Sequence, residues 1–280
     1  MGFSTFGLSD QIMQGVRAAG YTAPTPIQTL AIRPAMNGKD LVASAQTGTG
    51  KTAAFVLPML HRLSGGATGQ KGTPRALVLT PTRELAHQVQ DAVSTYGKFL
   101  SLRALSIYGG GGMEGQITHL RRGADIVVAT PGRLLDHLQR RTIDLSRVQI
   151  LVLDEADRML DMGFIRDVRK IIDALPKQRQ TLLFSATLSR EITTLAGDIL
   201  REPQTLDYLR KLIEQYPECS LRERWMRKTY AAWAAESARD AFHSGRAAQA
   251  RREFRLACRY APGTLSNWLY LAGAHLPPRI

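Results

Sequence analysis

Between residues 41 and about 206, short apolar runs alternate with segments of helical spacing. The runs are LVAS (41–44), RALVLT (75–80), ALSIYG (104–109), ADIVVAT (124–130), VQILVLD (148–154) and QTLLFSA (180–186). Helical spacing falls in TAAFVLPMLHRL (52–63), RELAHQVQDAVSTYGKFL (83–100) and FIRDVRKIIDAL (164–175). A strand covered on both faces reads as near-continuous apolar sequence, and parallel strands need long crossovers. The pattern predicts an α/β domain, a parallel sheet with helices on both faces. Ligands of such sheets bind outside the carboxyl ends of the strands, so residues just after each run are the candidates for chemistry.

The segment GGATGQKGTP (65–74) reads as a Gly-rich surface loop. Past residue 206 strand-like runs stop, and Ala, Arg and aromatic residues take over with helical texture. We expect residues 1–206 to form the α/β domain and residues 207–280 a small all-α tail. The net charge of +13 points to polyanionic partners, nucleic acid first. It is spread along the chain: 24 Lys/Arg against 17 Asp/Glu in residues 1–206, and 13 against 7 in residues 207–280. No run approaches the roughly 20 apolar residues of a membrane span, and the opening MGFSTFGLSDQIM does not read as a secretory signal. Cys219 and Cys258 suggest neither a disulfide framework nor a zinc site. A reduced, cytoplasmic protein with no membrane partner is the expectation.

The run LVAS leads into Ala45-Gln46-Thr47-Gly48-Thr49-Gly50-Lys51-Thr52 and then a helical segment. Strand, Gly-containing loop ending in Gly-Lys-Thr, and helix together wrap backbone N–H groups around a nucleoside triphosphate. Gly48 and Gly50 let the backbone come close, and Lys51 would reach the β- and γ-phosphates. Thr52 would ligate Mg²⁺, and the helix N-terminus adds partial positive charge. Ala45 stands where the generic pattern has Gly. An acidic pair at a buried strand end would complete the site, and ILVLDEAD (150–157) supplies it. Asp154 would hold Mg²⁺, and Glu155 would orient and activate the attacking water. The same acids would also serve as ordinary helix caps.

The literal Asp154-Glu155-Ala156-Asp157 resembles the signature of the DEAD-box ATP-dependent RNA helicases of superfamily 2, bacterial members above all. The resemblance covers residues 3 to about 206 and implies a RecA-like domain. GYTAPTPIQ (20–28) resembles the family's Q motif. It implies that the Gln28 amide reads the adenine edge, that Tyr21 lies near the base and that Phe3 stacks on it. Both aromatics are also plausible core residues. PTRELA (81–86), the glycines of YGGGG (108–112) and ATPGR (129–133) resemble the family's RNA-contact motifs. They imply backbone contacts from Pro81, Thr82, Arg83, Gly109, Gly110, Thr130, Pro131, Gly132 and Arg133, without base identity. For Arg83 and Arg133, pairing with a nearby acid is the structural alternative. SAT (185–187) implies that Ser185 and Thr187, with Asp157, couple ATP state to RNA handling.

The family works with two such domains, the second bringing arginine fingers worth roughly 10³–10⁵ in rate. No run here matches those arginine motifs; HSGRAAQARR (243–252) shares only letters. The sequence thus predicts an ATP- and RNA-binding half with slow turnover, and unwinding is in doubt. The tail resembles a tetratricopeptide repeat around Phe254, with Gly245, Ala250, Ala257 and Pro262 at the expected offsets. Trp268 and Leu271 fit a next repeat, while Ala234, Ser237 and Ala238 fit the first helix poorly. A non-catalytic ATP/RNA module, or a tail that binds a protein partner, stays open beside the enzyme.

Overall fold

The computed structural model describes residues 2–45, 48–65, 72–201, 204–207 and 255. Seven strands form one all-parallel sheet: β1 (Leu41–Ser44), β2 (Ala76–Leu79), β3 (Ala104–Ile107), β4 (Ile126–Ala129), β5 (Ile150–Leu153), β6 (Gln180–Ser185) and β7 (Gln204–Asp207). Their order is β3-β4-β2-β5-β6-β1-β7. The first six lie within the six apolar runs. β7 was not foreseen: its sequence QTLD has no apolar run, and its ladder to β1 is made by backbone groups.

Nine α-helices precede or join the strands among the described residues: α1 (Asp10–Ala18), α2 (Pro26–Met36), α3 (Lys51–Ser64), α4 (Arg83–Tyr96), α5 (Met113–Arg121), α6 (Pro131–Gln139), α7 (Ala156–Asp161), α8 (Ile165–Asp173) and α9 (Arg190–Ile199). The sheet has a core on each face, because successive strand residues point to opposite sides. Leu41, Ala43, Val78, Val152 and Phe184 pack with residues of α1 to α4. Val42, Leu77, Leu79, Leu151 and Leu183 pack with residues of α5 to α9. Phe55 of α3 and Phe184 of β6 are fully buried, with ring centroids 5.3 Å apart. Gly15 is required where α1 crosses α4: a Cβ there would lie 2.2 Å from the Tyr96 carbonyl oxygen.

The amino ends of the strands are closed by polar groups. Arg75 donates to Asp125 at 2.9 Å and to the Leu63 carbonyl at 3.0 Å, both bonds buried. Gln180 Nε2 donates to the carbonyls of Ala35 and Lys39. No helix among the described residues is long and apolar enough to cross a membrane. The chain divides into two units, Met1–Tyr208 and Leu209–Ile280. The tetratricopeptide-like residues proposed from sequence lie outside the described residues, as do Gln46 and Thr47.

Candidate functional site

The strand order sorts the motifs into two neighbouring groups. The carboxyl ends of β5, β6 and β1 are adjacent, and they carry the acidic motif, Ser185-Ala186-Thr187 and the phosphate loop. The carboxyl ends of β3, β4 and β2 are adjacent, and they carry the other three.

In the first group Ala45, 3% exposed, donates its N–H to the Ser185 carbonyl at 2.9 Å. Gly48 and Gly50 have φ of 85° and 92°, the left-handed region that favours glycine. Gly50 also sits against the Q motif, since a Cβ there would lie 2.5 Å from Gln28 Nε2. It caps α3, and its carbonyl accepts from Ala54 N–H and from Gln28 Nε2 at 3.1 Å. Lys51 opens that helix and is buried, and its Nζ has no hydrogen-bond partner among the described residues. Thr49 and Thr52 flank it, both partly exposed.

Gln28 is buried, and its Oε1 accepts from Thr25 N–H at 2.9 Å. Its amide therefore ties the start of α2 to the phosphate loop, keeping one hydrogen and one lone pair for another partner. Phe3 is a core side chain, 4% exposed, meeting Phe6 and Tyr21 edge-on at 6.0 and 6.5 Å. Packing, not an open ring face, is the role the structure gives it. Tyr21 is exposed and leans on Tyr96, whose hydroxyl pKa is raised by burial and by the Tyr21 side chain.

β5 delivers Asp154 and Glu155, both buried. Asp154 Oδ1 has no hydrogen-bond partner among the described residues. Burial pushes the Asp154 carboxyl up to about 6, with help from the Glu155 and Asp157 charges; the Lys51 ammonium and the Glu155 N–H pull it down. Glu155 has φ 53° and ψ 53°, left-handed for a bulky side chain, and its Oε2 lies 3.3 Å from Arg158 Nη1. A raised folded-state pKa means that Asp154 favours folding below pH 4 and that this is lost as pH rises through about 6. The unfolding free energy of Asp154→Asn relative to the parent should thus shift toward the variant between pH 4 and pH 7, by about 2 kcal/mol. Urea unfolding of both proteins across that range measures it; a pH-independent difference would mean that burial does not raise the Asp154 pKa.

Asp157 ties the group together. Its Oδ2 accepts from Ala186 N–H, Thr187 N–H and Thr187 Oγ1 at 3.1, 2.9 and 3.2 Å. Ser185 Oγ accepts from Asp157 N–H at 3.2 Å and donates to the Thr187 carbonyl at 2.6 Å. Ser185 thus touches the phosphate loop through its carbonyl and the acidic helix through its hydroxyl.

In the second group Pro81 is buried and Thr82 caps α4, its Oγ1 accepting from Leu85 N–H at 3.3 Å. Arg83 is exposed, its guanidinium 4.7 Å over the Tyr108 ring. His87 meets the same ring at 4.7 Å. Gly109 and Gly110 are exposed, and Gly110 has φ 81°. Thr130 caps α6 from a buried position, with Pro131 at its first turn and Gly132 partly exposed beside it. Arg133 donates to the Gly111 carbonyl at 3.0 Å and lies 3.6 Å from Asp136. The Asp136 contact is the acid pairing expected as its structural alternative, and the bond to Gly111 braces the glycine turn, a use the sequence did not suggest. Sequence reading missed Arg158, three residues after Glu155, and the Thr25-x-x-Gln28 capping pattern, both visible as spacings. It also missed Gln116 and His137, which no local pattern links.

A parallel sheet with a glycine loop and helix after β1 and a buried acidic pair after β5 defines the RecA-like class of nucleoside-triphosphate-binding domains. The DEAD/DEAH box helicase family model matches residues 25–195. The chain is 49% identical over 202 residues to the ATP-dependent RNA helicase DeaD of Mycobacterium tuberculosis (strain ATCC 25618 / H37Rv), covering 72% of this chain and 35% of that one. It is 47% identical over 202 residues to the ATP-dependent RNA helicase DDX42 of Gallus gallus, covering 72% and 21%. A solved DEAD box protein from the hyperthermophile Methanococcus jannaschii aligns with TM-score 0.69 and 38% identity, covering 77% of this chain and 63% of that one. The chain belongs to the DEAD/DEAH box helicase family. It spans about a fifth to a third of the length of these two curated relatives.

Proposed function

We propose that the α/β domain binds Mg-ATP at the ends of β5, β6 and β1, and single-stranded RNA at the ends of β3, β4 and β2. One observation carries the nucleotide half. Lys51 Nζ and Asp154 Oδ1 are both buried and unpaired among the described residues, and the Lys51 charge is near enough to pull the Asp154 pKa down. A buried ammonium and a buried carboxylate oxygen, each without a hydrogen bond among the described residues, fit a ligand that brings both negative charge and a cation. The α3 N-terminus adds N–H donors for phosphate. Lys51 would hold phosphate, while Asp154 and Thr52 would hold Mg²⁺, which when bound screens phosphate charge. Tyr21 and Gln28 would receive the adenine, with Phe3 backing Tyr21. Glu155 would take the proton of the attacking water.

On the RNA side, Arg83 and the backbone around Gly109, Gly110 and Gly132 would meet phosphate and sugar. Such contacts read no bases, so we propose binding that is largely indifferent to sequence. ATP-driven RNA unwinding, named for the longer relatives, is the activity this domain would serve. Bacterial kinship and a cytoplasmic location belong to the same reading.

The test is ATP uptake and turnover by the purified chain, with and without Mg²⁺ and single-stranded RNA. Mg²⁺-dependent ATP binding and equal retention of unrelated RNA sequences are expected. No saturable ATP binding would sink the nucleotide reading. A strong preference for one RNA sequence would sink the backbone-contact reading.

A further inference from the structure

We infer that a buried pair, Gln116 and His137, positions the glycine turn Tyr108–Gly112 for RNA; this rests on the RNA reading above. Gln116 is 8% exposed and His137 0%, and neither belongs to a motif. Gln116 Nε2 donates to the Tyr108 carbonyl at 3.0 Å. Its Oε1 faces His137 Nε2 at 3.2 Å. An amide that donates at one end offers only an acceptor at the other, so His137 must carry its proton on Nε2. Nδ1 lies 2.7 Å from Thr142 Oγ1, which fixes the ring from its far side. Burial and the Arg133 charge lower the His137 pKa, against a smaller opposing pull from Asp136. The Nε2 proton that the pair uses is present on the neutral ring and on the charged ring alike.

The other end of the turn is held from the same helix. Arg133 of α6 donates to the Gly111 carbonyl at 3.0 Å. Arg133 and His137 are one turn apart on α6, so they share a face. One helix therefore fixes both ends of the turn, Tyr108 through Gln116 and Gly111 directly. That helix begins at Pro131, inside the neighbouring RNA motif. The device sets the two motifs in one relation, and the exposed Gly109 and Gly110 lie between the tied carbonyls. Without the His137 proton the Gln116 amide is free to turn over. Its oxygen would then face the Tyr108 carbonyl and repel it.

The test uses Gln116→Met in the full chain, which keeps the volume and removes the donor. Binding of a fluorescently labelled single-stranded RNA should weaken roughly 10-fold. Affinity for a fluorescent ATP analogue should stay within about twofold, the split that a general loss of structure would not give. Hydrogen exchange at the Gly109–Gly112 amides should quicken. Gly111→Ala approaches the same contact from outside, because its Cβ would lie 3.3 Å from Tyr108 Cε2 and 3.4 Å from Gln116 Nε2. It should weaken RNA binding in the same direction, which keeps the test open if the methionine variant folds badly. Unchanged exchange in the variant overturns the inference, as does faster exchange with RNA affinity intact. A parent chain that takes up no RNA overturns the functional reading beneath it, an outcome visible before any variant is made.

Discussion

Alanine in place of Lys51 should abolish useful ATP binding. Lys51 Nζ is buried at the start of α3 and has no hydrogen-bond partner among the described residues, so a phosphate would be its partner. Removing one member of a buried charge pair costs about 2–5 kcal/mol, a loss of roughly 30- to 3000-fold in affinity. A second effect runs the same way. The Lys51 ammonium pulls the Asp154 pKa down, so without it Asp154 would rise above about 6 and hold its proton more tightly. A protonated Asp154 is a poorer ligand for Mg²⁺. Titration with a fluorescent ATP analogue reads both effects together, and affinity retained in Lys51→Ala would remove the phosphate-loop assignment.

Gln in place of Glu155 should leave ATP affinity near the parent value and lower turnover by about 10²–10⁴, the range for a positioned general base. The substitution keeps the shape of the side chain and an oxygen for Arg158, which lies 3.3 Å away. It removes the negative charge, and with it the ability to take a proton. The comparison holds at whatever rate the parent shows, alone or with a second helicase domain added. Unchanged turnover would take Glu155 out of the chemistry.

Much of the fold was written in hydrophobic pattern. LVAS, RALVLT and ILVLD read as buried parallel strands because both faces of the sheet are covered, and alternate residues fill two separate cores. β7 carried no such mark, because its partner is backbone and its residues QTLD are mostly polar. The candidate site was legible wherever chemistry is fixed by adjacent residues, as in Gly48 to Thr52 or Asp154 to Asp157. It was illegible where function depends on what a side chain faces across the sheet. Arg133 looked like a phosphate ligand, yet it spends a donor on the Gly111 carbonyl, 22 residues away. Gln28 read as a base reader alone, and its amide also ties Thr25 and Gly50 while keeping one hydrogen and one lone pair. Phe3 could be read as a stacking ring or as a core residue, and its own segment could not say that it lies in the core. In each case the residue type was informative and its partner was not, because contacts between distant segments leave no spacing to read.

The backbone of Glu155 carries a further consequence. At φ 53° it holds a conformation that costs a residue with a Cβ about 1–2 kcal/mol, and a glycine there would relieve it. The fold would therefore be more comfortable without the side chain that gives the site its base. Such a position reports on selection: copies of this domain kept only for grip should drift there toward Gly or Asn. Copies kept for turnover should hold the acid against that pull.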